Sequence, residues 1–403
     1  MRQEIGQALL EALRASLESR TVDWTEPRPA EDWQALLRLA AWQKVSPMVH
    51  EAMRGSAAWQ AAPPELRQMA RTDAIRSVAM QAMQSAVFCR VYTALREAGV
   101  CPLVVKGIVC RRLYPMPDSR PSGDEDLLIR TEDFPACRET LLRCGLEQIK
   151  DDDEFEVTFC HPKNGLHLEV HKALFAPDSD ALGDFNRFFA GAAERALTLT
   201  IEGTELLTLS AHDHLLFLLL HALKHFIHSG FGIRQVLDIG LWAQKCGGEV
   251  DWPLLLRQCR EVRADVFAAA VFQIAGREFG IPVPPDWPAT DGEALLEDIL
   301  SGGIYGATDR SRLHSGTVTA NAVEAQRRGG RSGSLLRTAF PGRESLQGRY
   351  PYLKRHPALL PVAWVQRFWN YGKETARRGD GAAESLKTAN RRLELLRQYQ
   401  IID

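Results

Sequence analysis

The sequence has no apolar segment long enough to cross a membrane and no pair of cysteines at CxxC spacing. The apolar run near its middle, Leu215 to Leu220, has six residues and is bounded by histidines, whereas a spanning helix needs about 20. The first twenty residues carry charges throughout, unlike a signal peptide. The eight cysteines lie largely in apolar periodic segments. We therefore expect reduced, mostly buried thiols, no membrane partner and a cytoplasmic location.

The recognition motifs of several enzyme classes are also missing. The chain contains no GxSxG, no GxxxxGK[ST], no GxGxxG after a strand, no HExxH and no HRD with DFG. No local signature marks a nucleophilic cysteine either. These absences disfavour hydrolase, P-loop, dinucleotide-binding, metalloprotease and kinase chemistry.

The overall composition is that of an ordinary globular protein. Of the 403 residues, 45% are apolar and 25% charged, and the length is typical of two or three domains. The net charge of -2 is unevenly distributed, since residues 301–403 hold 18 Lys and Arg against 8 Asp and Glu. This basic end could be a solvated surface, a partner for the acidic remainder or a polyanion site. Its aromatic segment 349–371, with Arg349, Arg355 and Arg367, is expected to pack on a helical domain.

Hydrophobic periodicity divides the chain into three regions. Residues 1–98 show helical spacing, and from Val100 the pattern changes to short strands and two helices. The first helix is IVCRRLY, which stops at Pro115, and the second is predicted to begin at Thr131 and stop at Gly145. Helical spacing returns after residue 205, where Ser210 is expected to cap a helix that ends at Gly230. We therefore predict an α+β fold with a helical region 1–98, an α/β domain 99–204 and a helical domain 205–403 with a basic end.

The first chemically suggestive feature is the pair Asp124 and Asp126 in the segment DEDLLIR. Alternate residues of a strand point to the same side, so these carboxylates would lie together while Glu125 faces away. Two adjacent like charges are costly unless a cation neutralises them, and oxygen ligands favour magnesium. Alone, the pair is weak evidence for a metal and is better explained as an exposed acidic strand end.

The neighbouring segments strengthen the metal interpretation. Upstream, a short strand delivers Lys106 and Gly107 to the start of a helix, where backbone N–H groups favour phosphate. Downstream, LHLEVH places Glu169 on a strand with His167 and His171 on the same face. Three carboxylates from two strands could hold two magnesium ions.

This arrangement resembles the minimal nucleotidyltransferases of the DNA polymerase β superfamily, and within it an uncharacterised bacterial nucleotidyltransferase family whose first motif reads LKG. The matching segments are LVVKGIVCRRLYP, RPSGDEDLLIR and LHLEVH, followed by HLLFLLLHALKHFIHSGFGIRQVLDI and FPGRESLQGRYPYLKRHPALLPVAWVQRFW. Two positions depart from the usual pattern: Ile108 stands where the superfamily has a small residue, and Glu169 where relatives often carry aspartate.

The resemblance implies a polymerase β-like palm that transfers a nucleoside monophosphate from an NTP to an acceptor and releases pyrophosphate. The acceptor could be a small molecule, a peptide, a protein or tRNA, and no obligatory protein partner is evident. Asp124, Asp126 and Glu169 would be catalytic and hold Mg²⁺, two ions in all, with Mn²⁺ as a substitute. Residues expected to bind the nucleotide are Lys106, Gly107, Ser122, Gly123, Lys224, His225, Arg234 and Asp238.

Four histidines, at positions 214, 221, 225 and 228, recur on one stripe of a predicted helix. They could line an interdomain surface, bind zinc, or face the nucleotide cleft with Lys224 and His225 near phosphate. By family analogy the helical domain closes over the triphosphate, which makes Lys224 the preferred phosphate contact.

Three further residues allow a structural or a functional interpretation. Arg234 and Asp238 lie four apart, so an i,i+4 ion pair is the simplest explanation, and contacts to phosphate and to the acceptor or base are the alternative. Arg120 could support the DxD loop or touch phosphate. For the whole chain, the rival functions are a non-catalytic nucleotide-binding or scaffold protein and a toxin-like enzyme that modifies tRNA.

Overall fold

A mixed sheet occupies the middle of the chain, with seven strands among the described residues. The computed structural model describes residues 2–149, 155–177, 185–228, 230–282, 284, 286–302, 316, 318–320, 322–324, 326, 342–346, 350–366 and 382–403. In chain order the strands are β1 (Leu103–Val105), β2 (Glu125–Leu128), β3 (Glu147–Gln148), β4 (Glu156–Cys160), β5 (His167–His171), β6 (Leu197–Ile201) and β7 (Thr204–Thr208). The α+β class is confirmed.

The order of the strands brings the predicted acids together. Across the sheet the order is β3-β4-β5-β2-β1-β7-β6. Strands β2 and β5 are parallel, with Asp126 opposite Glu169, and β1 runs antiparallel to β2 with Val105 opposite Asp126. The chain therefore leaves β1 at Lys106, directly beside the two acids.

The region before the sheet is helical, as predicted. Its helices are α1 (Arg2–Leu17), α2 (Ala30–Trp42), α3 (Ser46–Met53), α4 (Ala57–Gln60) and α5 (Pro64–Glu97). Helix α5 ends just before Gly99, whose φ of 81° is the left-handed conformation that glycine adopts without strain.

Two helices lie between the strands of the sheet. Helix α6 spans Gly107–Arg111 and α7 spans Phe134–Arg143. The prediction that Thr131 caps α7 is wrong, because Thr131–Asp133 forms a 3₁₀ turn and α7 begins only at Phe134, with Pro135 in its first turn. Proline has no N–H to donate and its fixed φ suits a helix start.

The last two strands, β6 and β7, were not predicted. They form an antiparallel hairpin, and β7 pairs in parallel with β1, so the sheet extends to Thr208. The alternating LTLTI and TELLT, joined by Glu202 and Gly203, carry the signal of a two-residue hairpin.

After the sheet the chain is mainly helical. The first helix begins after Ser210, whose hydroxyl accepts the Asp213 N–H as predicted, and it ends before Gly230 with φ of 101°. The helices are α8 (Ala211–His228), α9 (Ile233–Cys246), α10 (Trp252–Glu261), α11 (Asp265–Phe279), α12 (Glu293–Gly302), α13 (Arg343–Leu346), α14 (Tyr352–Arg355) and α15 (Ala382–Gln398).

One continuous apolar core joins the three predicted regions. It includes residues from Ile5 in α1 to Ile402 after α15. All eight cysteines are free, but only four of them are buried and Cys101 is exposed. Of the helices in the described part, none is long and apolar enough to cross a membrane.

The aromatic segment near the basic end does not join that core through its described residues. Leu346, Tyr350, Leu353 and Ala363 form a small separate cluster, which corrects the expectation of packing on the helical domain. Arg355 is exposed, while Arg349 and Arg367 lie outside the described residues.

Candidate active site

The three predicted acids line one cavity between the sheet and helix α8. The cavity has a volume of about 260 Å³ and includes Asp124, Asp126 and Glu169 in its wall. Asp124 is half-buried, and none of the described residues forms an ion pair or hydrogen bond with its carboxylate. The alternation predicted for β2 therefore places both aspartates at the same cavity.

Asp126 is the most deeply buried of the three acids. Its Oδ1 lies 2.9 Å from the Lys106 ammonium nitrogen and 3.0 Å from His171 Nε2. Its Oδ2 is also buried but has no hydrogen-bond partner among the residues that the structure describes. A buried carboxylate oxygen without a donor is costly, so this atom is a suitable ligand for a cation.

His171 lies in a group that could hold a metal ion once its imidazolium gives up a proton. Ligand atoms of Asp126, Glu169 and His171 all lie within 4.8 Å of one another. Burial disfavours the imidazolium, but hydrogen bonds to Asp126 and Glu169 outweigh it and raise the pKa of His171 to about 9. Burial also opposes ionisation of Glu169, yet the His171 hydrogen bond holds its pKa below the ordinary value. The sequence pattern had placed His171 on this face without giving it a role.

Helix α8 supplies the opposite wall of the cavity. Lys224, His221 and His225 line it, as the cleft-facing interpretation of the histidine stripe predicts. Burial, with the nearby Lys106 charge, lowers the pKa of Lys224. His221 Nε2 lies 3.1 Å from both Lys106 Nζ and His225 Nε2, and burial keeps the pKa of both imidazoles well below the ordinary value.

His214, the first member of the stripe, has a structural role. Its Nε2 accepts the Lys106 backbone N–H at 3.2 Å, and its Nδ1 lies 3.3 Å from Thr208 Oγ1. Burial lowers the pKa of His214 to about 3, so the ring is neutral. Within the described ranges the α8 histidines form no metal-ligating group of their own, which leaves the zinc interpretation without support.

The first motif differs from the expected phosphate cradle. The Ile108 N–H donates to Glu125 Oε2 at 2.6 Å, so this amide at the start of the five-residue helix α6 is occupied by the protein's own carboxylate. Ile108, which stands where the superfamily has a small residue, is buried in the apolar core. Lys106 has φ of 54° and lines the cavity with its side chain. The ammonium group of Lys106 therefore lies at the cavity. The Ile108 N–H is not available to a phosphate, because it donates to Glu125.

Gly107 is required by the close approach of Glu125. A Cβ at this position would lie 1.8 Å from Glu125 Oε2, and Gly107 has φ of 32°. We expect Gly107→Ala to destabilise the fold by about 2–3 kcal/mol, because the buried carboxylate would have to move away from its donors. Urea denaturation measures the loss, and Gly203→Ala, at an open turn with φ of 77°, is the control. Equal losses in the two variants would contradict a specific role for Glu125.

The loop before β2 is held by two buried arginines. Ser122 Oγ accepts hydrogen bonds from Arg111 at 2.7 Å and from Arg120 at 2.9 Å. Arg111 also donates to Glu125 Oε1 at 2.7 Å, on the side of β2 away from the cavity. Ser122 thus positions the loop, and Gly123 is exposed at its tip.

Asp238 pairs with Arg120, not with Arg234. Arg120 donates to both carboxylate oxygens of Asp238, at 2.8 and 2.5 Å, and Tyr114 donates to Oδ1 at 2.7 Å. The predicted i,i+4 ion pair is therefore wrong, because Asp238 is already satisfied by two residues from the sheet region. Arg120 supports the DxD loop, one of the two roles considered for it.

Arg234 instead donates to the Pro121 carbonyl oxygen. It is buried, its Nε has no hydrogen-bond partner, and no described carboxylate forms an ion pair with it. Arg234 lines a second, smaller cavity of about 30 Å³, whose wall also includes Lys106, Ser122, Asp124 and Asp238. Asp124 and Lys106 line both cavities.

Comparison with known proteins gives one match. A family model described as an uncharacterised nucleotidyltransferase matches residues 29–280, a span that contains every residue of the site described above. No curated protein and no solved structure matches the chain. Since the matched span is more than half of the chain, the protein belongs to this nucleotidyltransferase family and is an enzyme that transfers nucleotides.

Proposed function

We propose that the protein transfers a nucleoside monophosphate from an NTP to an acceptor, with Mg²⁺ as cofactor and release of pyrophosphate, on a polymerase β-like palm. The observation that carries the proposal is the shared cavity of Asp124, Asp126 and Glu169, closed on the opposite side by Lys224. Acids on one wall and a cation on the other match the charges of a metal–triphosphate complex.

The acidic residues fit a divalent cation. Asp126 has a buried oxygen without a partner, and no described residue neutralises Asp124 by an ion pair. Carboxylate oxygens suit Mg²⁺ and Mn²⁺ better than softer metals. Asp124, Asp126 and Glu169 would hold two such ions, which supply charge neutralisation for the triphosphate and lower the pKa of an attacking hydroxyl.

The protein's own residues provide positioning. Lys106, Lys224 and Arg234 carry positive charge at the cavity walls and bind phosphate oxygens. Glu169, ionised at neutral pH because its pKa is lowered, accepts a hydrogen bond from the acceptor group. His225 and Gly107 contribute to the cavity walls, while Arg120 and Asp238 keep the loop before β2 in place. Orientation of the acceptor in line with the leaving pyrophosphate would supply much of the rate enhancement.

Labelling the acceptor tests this function. Purified protein is incubated with Mg²⁺, each α-³²P-labelled NTP and a cell extract, and the extract is then separated into RNA, protein and small molecules. We expect one NTP to label one fraction, with pyrophosphate as the second product. Label in RNA would identify a tRNA-type acceptor, and absence of labelling and pyrophosphate with every NTP would favour a non-catalytic nucleotide-binding protein.

Lys224 provides a test of the phosphate contacts. We expect Lys224→Ala to weaken NTP binding by about tenfold and to reduce its salt dependence, because one charge-assisted contact is lost. Isothermal titration at two salt concentrations measures both effects. Lys387→Ala removes an exposed lysine of α15 and should change neither. An unchanged affinity in Lys224→Ala would mean that Lys224 has only a structural role.

A further inference from the structure

Lys44, which belongs to the N-terminal helices, reaches the loop before β2. It lies between α2 and α3 with φ of 51°, an uncommon backbone conformation for a lysine. Its Nζ is 3.1 Å from the point that a Cβ on Gly123 would occupy. No described carboxylate forms an ion pair with this ammonium group. Lys44 precedes the first motif by about sixty residues, so no local sequence pattern connects it with the site.

The position of Lys44 is fixed by the residue before it. Gln43 is fully buried; its Nε2 donates to the Ile299 carbonyl at 2.8 Å, and its Oε1 accepts the Ile233 N–H at 2.9 Å. Ile233 is the first residue of α9 and immediately precedes Arg234. The same side chain therefore connects the chain segment of Lys44 to the helix end that carries Arg234.

Lys44 and Arg234 bring two positive charges to one loop, and neither forms an ion pair with a described carboxylate. Arg234 is only 6% exposed, and its guanidinium has one N–H on Pro121 and a buried Nε with no partner. Partial burial and the charge of Arg234 lower the pKa of Lys44, while Asp124 opposes the shift. The charge of Arg234 also lowers the pKa of the nearby Asp238, but the buried guanidinium is in ion-pair contact with none of the described carboxylates. Such a group is costly to bury, so a bound anion would stabilise it.

We propose that Lys44 and Arg234 form a phosphate subsite above the loop 121–124, which receives the terminal phosphates of the NTP. This inference rests on the proposed function. Asp124 and Lys106 line both cavities, so the two cavities adjoin each other. A triphosphate whose reacting phosphate lies at the three acids therefore extends past Asp124 and Lys106 toward Arg234. The small cavity of about 30 Å³ has no room for a nucleoside, which belongs in the larger one.

Binding of inorganic pyrophosphate tests the subsite directly. Isothermal titration compares the wild type with Lys44→Ala, Arg234→Gln and Arg234→Lys, and the control is Lys163→Ala at the exposed turn between β4 and β5. We expect about tenfold weaker pyrophosphate binding in Lys44→Ala and Arg234→Gln, a smaller loss in Arg234→Lys, and no change in the control. NTP affinity should fall by the same factor, and NMP affinity should not change.

The possible results separate this subsite from other assignments. Equal losses for NMP and NTP would place the nucleoside or its first phosphate at Lys44 and overturn the proposal, as would unchanged pyrophosphate affinity in Lys44→Ala. Lys44 is exposed, so that variant is informative even if Arg234→Gln fails to fold. Specific loss of pyrophosphate affinity, together with no nucleotide transfer by the wild type, would retain the subsite and reject the proposed function.

Discussion

Asp124→Asn is expected to reduce nucleotidyl transfer by about a hundred- to a thousandfold while leaving the fold intact. The substitution removes one negative charge from the acids that would hold the metal, and electrostatic groups of this kind contribute roughly 3–4 kcal/mol each to catalysis. No described residue depends on Asp124 for a hydrogen bond or ion pair, so stability should change by less than about 0.5 kcal/mol. Pyrophosphate release and thermal denaturation measure the two effects.

Asp126→Asn serves as the comparison for that experiment. It should also abolish transfer, but it weakens the contacts of Asp126 with Lys106 and His171 and should therefore lower the melting temperature. Asp124 is thus the cleaner probe of catalysis. Full activity of Asp124→Asn at the Mg²⁺ concentration that the wild type requires would reject the metal-binding role of this pair of aspartates.

Breaking the buried pair of Arg120 and Asp238 is expected to cost about 3–5 kcal/mol of folding free energy. Each single substitution, Arg120→Met or Asp238→Leu, leaves an unpaired charge in a fully buried position. The double variant removes both charges and should recover part of the loss. Chemical denaturation of the four proteins forms a double-mutant cycle, and additive losses would contradict a direct interaction.

The same pair predicts the direction of a pH effect. Burial opposes ionisation of Asp238, but the charge and hydrogen bonds of Arg120 hold its pKa below the ordinary value of 3.8. Its contribution to stability is therefore complete above about pH 4 and is lost as the pH falls through the lowered pKa. The stability difference between wild type and double variant should accordingly shrink in acid.

Local patterns predicted the features that depend on strand geometry. Period-two alternation placed Asp124 with Asp126 and Glu169 with His171, and the sheet confirms that arrangement because β2 and β5 are neighbours. The same alternation predicted that Glu125 faces the opposite side of the strand, away from the two aspartates. There it accepts hydrogen bonds from Arg111 and from the Ile108 N–H. Side-chain direction along a strand follows from the backbone alone, so sequence suffices for it.

Contacts between distant segments could not be read from spacing. Arg234 and Asp238 have suitable helical spacing, but Asp238 binds Arg120, which is 118 residues away and offers two parallel hydrogen bonds. Arg120 binds both oxygens of Asp238 in a buried position, which is more favourable than a single contact with the helical neighbour Arg234. Only the packed structure shows that Arg120 is close enough to Asp238 to do so. Lys44 was missed for the same reason. The β6–β7 hairpin, by contrast, has a local signal and was predictable.

The side chain of Gln43 has a practical consequence for protein engineering. Trimming the chain to its α/β core would delete the connector of α2 and α3, leave the Ile233 N–H without its acceptor and remove Lys44 from above Gly123. A minimal catalytic fragment should therefore retain the first helices. Libraries intended to redirect substrate choice should likewise include Lys44, which we propose as part of the phosphate subsite although it lies far from the recognisable motifs in sequence.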